Sequence, residues 1–166
     1  MYARTWGETT RGINGEMVTV EVDVTNGMPA FEMVGLPDVA VKEARERVKA
    51  AVKNSGFRFP DTHITVNLAP ADLKKDGAGL DLPIAMGVLA AKQYVTLPDP
   101  MPVFAGELAL DGSLRPVNGI LPMILWPRKY WNWKNPRRDW WILPMSRGRK
   151  WPNGHWRLLL PEGTMC

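Results

Sequence analysis

The residues that are best suited to chemistry by type and spacing lie in one loop, residues 74–79 (KKDGAG). Glycines let backbone N–H groups approach an anion, and two lysines add positive charge, so this loop could cradle a phosphate. The chain contains no G-x-x-x-x-G-K-[ST] sequence, and the loop lacks the spacing of a G-x-G-x-x-G dinucleotide fingerprint. We therefore favour a structural turn that enters a helix over a nucleotide site.

Several basic side chains could meet the phosphates of a nucleic acid, because Lys and Arg neutralise phosphate charge. Three of them lie on the first predicted helix and two in the loop: Arg45, Arg47, Lys49, Lys74 and Lys75. The helical cations are interleaved with Glu43 and Glu46, so a solvated helix face explains them equally and is the preferred interpretation. These five residues remain the candidate nucleic-acid contacts.

Acidic residues are scattered along the chain. Asp72, Asp76 and Asp81 could gather at a helix N-terminus and bind Mg²⁺, which prefers oxygen ligands. Loop and cap roles explain the same aspartates, because the helix dipole favours acidic residues at that end. The two histidines and the single cysteine lack the spacing of a zinc site. No catalytic, cofactor-binding or metal-ligating residue is therefore assigned.

The elements that would position these side chains follow from hydrophobic periodicity. Residues 17–25 alternate as a half-buried strand, and Gly12 with the Asn14-Gly15 pair predicts a hairpin turn to a partner strand within residues 2–11. Asp38 is a plausible N-cap for a helix that ends near Asn54. Further strands are predicted at residues 31–34, 62–68, 103–110 and 113–117, and a second helix at 81–92. This order indicates an α+β domain, an α/β sandwich with a helix-covered mixed sheet.

Composition limits the class of protein. The chain has 166 residues, 45% of them hydrophobic, and no run of about 20 apolar residues that could cross a membrane. It shows no apolar signal-peptide core at its N-terminus. We therefore expect a cytoplasmic protein with no membrane partner.

The last quarter of the chain differs sharply from the rest. Residues 1–124 carry 12 Lys and Arg against 15 Asp and Glu, whereas residues 125–166 carry 9 against 2 and hold seven of the eight tryptophans. Such a shift predicts a boundary, with a domain at 1–124 and a Trp/Arg/Pro-rich tail at 125–166. The tail could be a nucleic-acid surface in which tryptophans stack on bases.

Our preferred hypothesis is that the tail is a frameshifted translation of a longer gene and folds poorly. Tryptophan has a single codon, so residues 130–134 (YWNWK), read one base earlier, must give Leu-Glu-Leu-Glu, which suits a helix. On this hypothesis the chain is a truncated fragment of a longer protein, and reading the gene in that frame tests it.

The segments of residues 1–124 resemble, in order, the N-terminal ChlI-type domain of the YifB/ComM family of magnesium-chelatase-like AAA+ proteins. The matching segments are 21–29 (EVDVTNGMP), 34–38 (VGLPD), 41–48 (VKEARERV), 54–56 (NSG), 65–75 (TVNLAPADLKK), 81–85 (DLPIA), 106–108 (GEL) and 111–117 (DGSLRPV). Many ordered segments make this a far more specific signal than any single motif.

The resemblance implies a fold shared with the proteolytic domain of Lon and with domain 2 of a ribosomal small-subunit protein. It also implies that the intact protein carries an AAA+ module that uses ATP and Mg²⁺, assembles as a homo-hexamer and processes DNA in natural transformation and branch migration. No cofactor is expected in this chain itself.

The similarity to Lon raises the possibility of proteolysis, which needs a serine activated by a lysine. Matching Asp76-Gly77 to the Asp-Gly of Lon places the nucleophile at Gly79, and matching residues 115–119 places the lysine near Leu121. Both functional groups are missing, and Ser113 and Lys92 offer no evident replacement. The expected function is therefore that of a non-catalytic accessory domain of an AAA+ ATPase, and the alternative is a free-standing nucleic-acid-binding protein that uses its tail.

Overall fold

The computed structural model describes residues 1–11, 14–99 and 101–117. Six strands and two helices follow one another in the order β1 Tyr2–Arg11, β2 Asn14–Thr25, β3 Ala30–Val34, α1 Val39–Asn54, β4 His63–Ala69, α2 Asp81–Ala91, β5 Glu107–Leu108 and β6 Leu114–Arg115. A 3-10 turn, Ala78–Leu80, leads directly into α2. The first four strands form one mixed sheet in the spatial order β1-β2-β4-β3, in which only β3 and β4 are parallel. The α+β class predicted from the sequence is confirmed.

The core lies between this sheet and the two helices. Alternate residues of β2 are buried, and the β2–β4 register places Val20 opposite Leu68 and Val22 opposite Val66. Side chains that alternate along a strand point to opposite faces, so one face of β2 and β4 is entirely aliphatic. The alternation seen in residues 17–25 thus correctly predicts the buried face.

Helix α1 joins the parallel strands β3 and β4, as a crossover between parallel strands requires. Its apolar stripe is buried in the core: Val41, Ala44, Val48, Ala51 and Val52. The side chain of Asp38 accepts a hydrogen bond from the backbone N–H of Val41 at 2.7 Å, which confirms the predicted N-cap.

Helix α2 packs on β1 and β2 and touches α1. It is buried on most sides, as predicted from its composition. Gly87 makes this packing close, because a Cβ at that position would lie 2.6 Å from a methyl group of Val22. A side chain there would push the helix away from the sheet.

Two predicted boundaries are wrong. The predicted antiparallel pairing of residues 2–11 with the next strand is confirmed, but β2 begins earlier than predicted: Asn14 pairs with Arg11, so Asn14-Gly15 belongs to the strand, and residues 12–13, which include the predicted turn residue Gly12, lie outside the described residues. The strands predicted at 103–110 and 113–117 shrink to two residues each, in β5 and β6. Their turn is as predicted: Gly112 has φ 87°, and Asp111 accepts hydrogen bonds from the N–H and hydroxyl of Ser113.

Neither helix in the described part of the chain has the length and apolar character to span a membrane. The proposed tail, residues 125–166, lies outside the described residues, so the domain boundary near residue 124 stays a prediction.

Candidate functional site

The loop that the sequence singled out lies at the carboxyl ends of the parallel strands β3 and β4, beside the N-terminus of α1. Ligands of α/β sheets commonly bind at such a position. Here the two strand ends are joined to each other: the N–H of Lys75 donates to the carbonyl of Leu36 at 3.2 Å, and the N–H of Asp38 donates to the carbonyl of Lys75 at 3.1 Å. The loop therefore extends the parallel pairing beyond the ends of the strands.

The carboxylate of Asp38 occupies the position that an anionic ligand would take. One oxygen caps α1 through Val41, and the other accepts a hydrogen bond from the N–H of Gly77 at 3.3 Å. These N–H groups of the helix end and the glycine loop are ones that a phosphate would use. Because a side chain of the protein already engages them, this geometry supports a structural turn.

The two lysines of the loop have different environments. The side chain of Lys75 is fully buried and donates to the carbonyl of Pro70, and burial lowers the pKa of its amine. The amine of Lys74 is exposed and lies 2.9 Å from a carboxylate oxygen of Asp76, whose hydrogen bond raises the pKa of Lys74. Lys75 thus holds the loop together, and Lys74 faces solvent.

An ion pair joins the two helices next to this loop. The Nε of Arg47 lies 2.6 Å from Oδ2 of Asp81, and its Nη2 lies 3.0 Å from Oδ1. Arg47 also donates to the carbonyl of Ala40 at 2.8 Å, and the N–H of Leu108 donates to Asp81 at 3.2 Å. The pair therefore connects α1, the first turn of α2 and β5.

The electrostatics of this pair are dominated by burial of the acid. The side chain of Asp81 is fully buried, and burial raises the pKa of its carboxyl, against the opposing effect of hydrogen bonds from Arg47 and Leu108. The hydrogen bond to Asp81 raises the pKa of Arg47. Local sequence patterns do not indicate this contact, since the two residues are 34 positions apart.

Gly79 stands where the resemblance to Lon would place a nucleophile. It is buried, and a Cβ there would meet the carbonyl oxygen of Glu8 at 3.8 Å and a methyl group of Val117 at 3.9 Å. Both are ordinary van der Waals distances, so the position has room for a small side chain that this chain does not carry. Lys92, considered as a replacement base, follows the last residue of α2, about 16 Å along the helix from its start.

Ser113, considered as a replacement nucleophile, belongs to the turn between β5 and β6, where its hydroxyl donates to Asp111 at 2.7 Å. That contact gives it a local structural role. Leu121, which the resemblance places near the position of the Lon lysine, lies outside the described residues.

A buried carboxyl that sequence reasoning missed lies on β1. Glu8 is 4% exposed, and its Oε1 has no hydrogen-bond partner in the part of the chain that the structure describes. Burial raises the pKa of Glu8 to about 8. Thr9, the next residue, faces the helices and exchanges hydrogen bonds with the backbone of Asp76, so Glu8 points to the opposite face of the sheet.

The five candidate nucleic-acid contacts do not share one environment. Arg45 is exposed and lies 3.4 Å from Glu46, and Lys49 is partly exposed on the same helix. Lys74 is exposed in the loop. Arg47 and Lys75 are engaged in the internal contacts described above, so Arg45, Lys49 and Lys74 are the candidates whose side chains reach the surface.

Two of the three aspartates considered for Mg²⁺ have other partners, and the third, Asp72, is exposed in the loop. Asp81 binds Arg47, and Asp76 binds Lys74. Within residues 1–11, 14–99 and 101–117, no three His, Cys, Asp or Glu side chains come together in a way that could hold a metal ion.

Comparison with known proteins gives one family. The sequence pattern described as subunit ChlI of Mg-chelatase matches residues 20–131. The competence protein ComM of Haemophilus influenzae is 46% identical over 125 residues, which are 75% of this chain and 25% of that protein. The uncharacterized protein YifB of Escherichia coli is 50% identical over 112 residues, 66% of this chain and 22% of that protein.

A more distant relative is Lon protease 2 of Bacillus subtilis, which is 24% identical over 127 residues, 67% of this chain and 23% of that protein. The chain spans about a quarter of the length of these curated relatives. Taken together, the matched pattern and the two high identities show that the chain belongs to the magnesium-chelatase ChlI-like family that includes YifB and ComM.

Proposed function

We propose that this chain is a non-catalytic accessory domain of a YifB/ComM-like AAA+ ATPase that processes DNA in the cytoplasm. The observation that carries the proposal is that polar groups of the loop at residues 74–79 are bound by other parts of the same domain. Its N–H donor at Gly77 is engaged by Asp38, its buried lysine by the carbonyl of Pro70, and the position of a Lon-type nucleophile is a glycine. The first two contacts stabilise the fold, and the glycine lacks the reacting group, at a place where a related enzyme would carry its catalytic residues.

The proposed biological role rests on the relatives. One of them is named a competence protein, and the chain matches about a quarter of its length. We propose that the remaining three quarters of the intact protein contain the AAA+ module, which binds ATP and Mg²⁺ and assembles as a homo-hexamer on DNA during transformation and branch migration. The partner of this domain is then the ATPase module, and this chain holds no cofactor.

A second candidate function is supported by the composition of residues 125–166, where basic residues and tryptophans concentrate. A free-standing protein with such a tail would bind single-stranded nucleic acid through phosphate contacts and base stacking.

DNA binding with and without residues 125–166 distinguishes the two functions. If the domain is an accessory module, removing the tail should change the dissociation constant for single-stranded DNA by less than about threefold, because no tail contact is lost. If the tail is the binding element, salt-sensitive binding should disappear. Fluorescence anisotropy at two salt concentrations measures both, and the Arg45→Ala/Lys49→Ala variant of the full chain reports any contribution from α1.

A further inference from the structure

Two asparagine–glycine pairs lie in the described part of the chain, Asn14-Gly15 and Asn26-Gly27. Such a pair can react within itself, because the backbone nitrogen of the second residue can attack the side-chain amide of the first and close a five-membered ring. Glycine leaves this attack unhindered, since it has no side chain. In a folded protein the reaction then depends on how firmly the backbone around each pair is held.

Asn26-Gly27 lies in the connection that leads from β2 to β3. Strand β2 ends at Thr25, β3 begins at Ala30, and residues 26–29 between them are exposed and belong to no strand. Among the described residues, neither the side-chain amide of Asn26 nor the N–H of Gly27 has a hydrogen-bond partner. The two groups that must react are therefore open to solvent and free of competing contacts.

The surroundings of Gly27 leave room for the attack. Its φ is 156°, which glycine adopts readily, and a Cβ built there would meet only the Cβ of His63, at 3.7 Å. Other asparagine side chains are held in place: that of Asn54 donates to the carbonyl of Leu110 at 2.6 Å. The backbone at Gly27 can therefore turn toward the side chain of Asn26.

Asn14-Gly15 provides an internal comparison. Asn14 pairs with Arg11 and Gly15 with Thr10 in the β1–β2 ladder, and Gly15 is buried. Ring closure requires rotation about the Cα–C bond of the asparagine, away from the extended conformation of a strand. At Asn14 this rotation must first open the end of the hairpin, whereas at Asn26 it breaks no pairing. The fold therefore protects the first pair and leaves the second accessible.

We propose that Asn26 is a site of spontaneous deamidation in the folded chain. The backbone nitrogen of Gly27 gives up its proton to solvent and forms a bond to Cγ of Asn26, and the side-chain nitrogen takes up a proton and leaves as ammonia. Water then opens the resulting succinimide at one of its two carbonyls. Opening at Cγ gives an aspartate, and opening at the backbone carbonyl gives an isoaspartate. The inference rests on this connection alone and is independent of the proposed function.

Both products change properties that can be measured. Each replaces a neutral amide by a carboxylate, so the net charge of +4 falls by one unit. The isoaspartate also adds a methylene group to the backbone between β2 and β3. Modified chains should therefore separate from unmodified ones by ion exchange, and mass spectrometry of peptides identifies the position that has reacted.

Incubation of the full chain, followed by proteolysis and mass spectrometry, tests the proposal. In the folded chain, conversion at Asn26 should be about tenfold or more faster than at Asn14. In urea, where the ladder is lost, the two pairs should convert at similar rates. Both rates should rise with pH, because the attacking nitrogen reacts in its deprotonated form. The further pairs at residues 118–119 and 153–154 lie outside the described residues and are followed as separate peptides.

Two variants complete the experiment. Asn26→Gln should leave the peptide that spans this position unconverted over the same period, because a glutamine would have to close a six-membered ring. Asn14→Gln is the matched control and should leave the rate at Asn26 unchanged. A folded chain in which Asn26 stays intact over the period that converts the unfolded chain would overturn the proposal. Equal rates at Asn14 and Asn26 in the folded chain would overturn it as well.

Discussion

Replacing Arg47 by alanine is expected to lower the free energy of unfolding by about 3–5 kcal/mol, because it leaves the carboxyl of Asp81 buried without its partner. Asp81 is fully buried, and Arg47 supplies two of its three hydrogen bonds. The N–H of Leu108 alone cannot compensate for the loss of solvation of a carboxylate. Urea denaturation monitored by far-ultraviolet circular dichroism measures the change.

The neighbouring arginine is a matched control. Arg45 lies on the same helix two residues earlier, is exposed, and pairs with the exposed Glu46 at 3.4 Å. Its replacement by alanine should change stability by less than about 0.5 kcal/mol, as is usual for surface positions. Equal effects of the two substitutions would contradict the structural role assigned to the Arg47–Asp81 pair.

The double variant Arg47→Met/Asp81→Leu separates the cost of an unpaired charge from the value of the pair. Apolar replacements of similar size often substitute for a buried ion pair with little loss. We therefore expect the double variant to be more stable than Arg47→Ala. A double variant at least as unstable as that single one would show that the ion pair itself carries the stability.

The second large effect concerns the dependence of stability on pH. Burial raises the pKa of Glu8 to about 8 in the folded state, from an ordinary value of 4.5. The folded protein therefore keeps a proton that the unfolded chain releases between these two values. Stability should fall as pH rises through this window, by up to about 5 kcal/mol at pH 8 and above, and this contribution should vanish below pH 4.5.

Glu8→Gln removes the titrating group and retains the shape of the side chain. The variant should be more stable than the parent chain at pH 8, and the difference should shrink to nearly zero at pH 4.5. Glu16→Gln, a change in the adjacent strand of the same hairpin, is the control and should leave the curve unchanged. Thermal unfolding at several pH values tests this. If the stability of Glu8→Gln and that of the parent chain changed with pH in the same way, the raised pKa could not belong to Glu8.

The sequence predicts those parts of the fold that depend on local periodicity. The alternation along β2, the apolar face of α1 and the cap at Asp38 all follow from neighbouring residues, and all are confirmed. The lengths of β5 and β6 do not follow, because a hairpin turn such as Asp111-Gly112 fixes where strands reverse and not how far they stay paired.

The candidate site shows why long-range contacts escape such reasoning. In the sequence, Arg47 cannot be distinguished from the other cations on the polar face of α1. Only the packing of α1 against α2 brings Asp81 beside it. Lys75 sits in a polar loop, the usual place for an exposed lysine, yet it is enclosed by the joined ends of β3 and β4. Glu8 lies within residues 5–10 (TWGETT), where apolar and polar residues do not alternate. The sequence therefore does not indicate that the side chain of Glu8 is buried.

The contacts of Asp38 and Lys75 hold the loop at residues 74–79 in place. Asp38 joins it to α1, and Lys75 secures it to the carbonyl of Pro70. A loop held by so many internal bonds is pre-set in one conformation.

The rate of ATP hydrolysis tests the central claim most directly: the chain contributes structure, and the chemistry lies elsewhere in the intact protein. The measurement compares this purified chain with ComM of Haemophilus influenzae in which the matching segment is replaced by that of this chain. We expect the chain alone to hydrolyse no ATP. The ComM variant that carries the segment of this chain should hydrolyse ATP at a rate close to that of unaltered ComM. Steady hydrolysis by the isolated chain, or its loss in an exchanged protein that still assembles, would contradict the account.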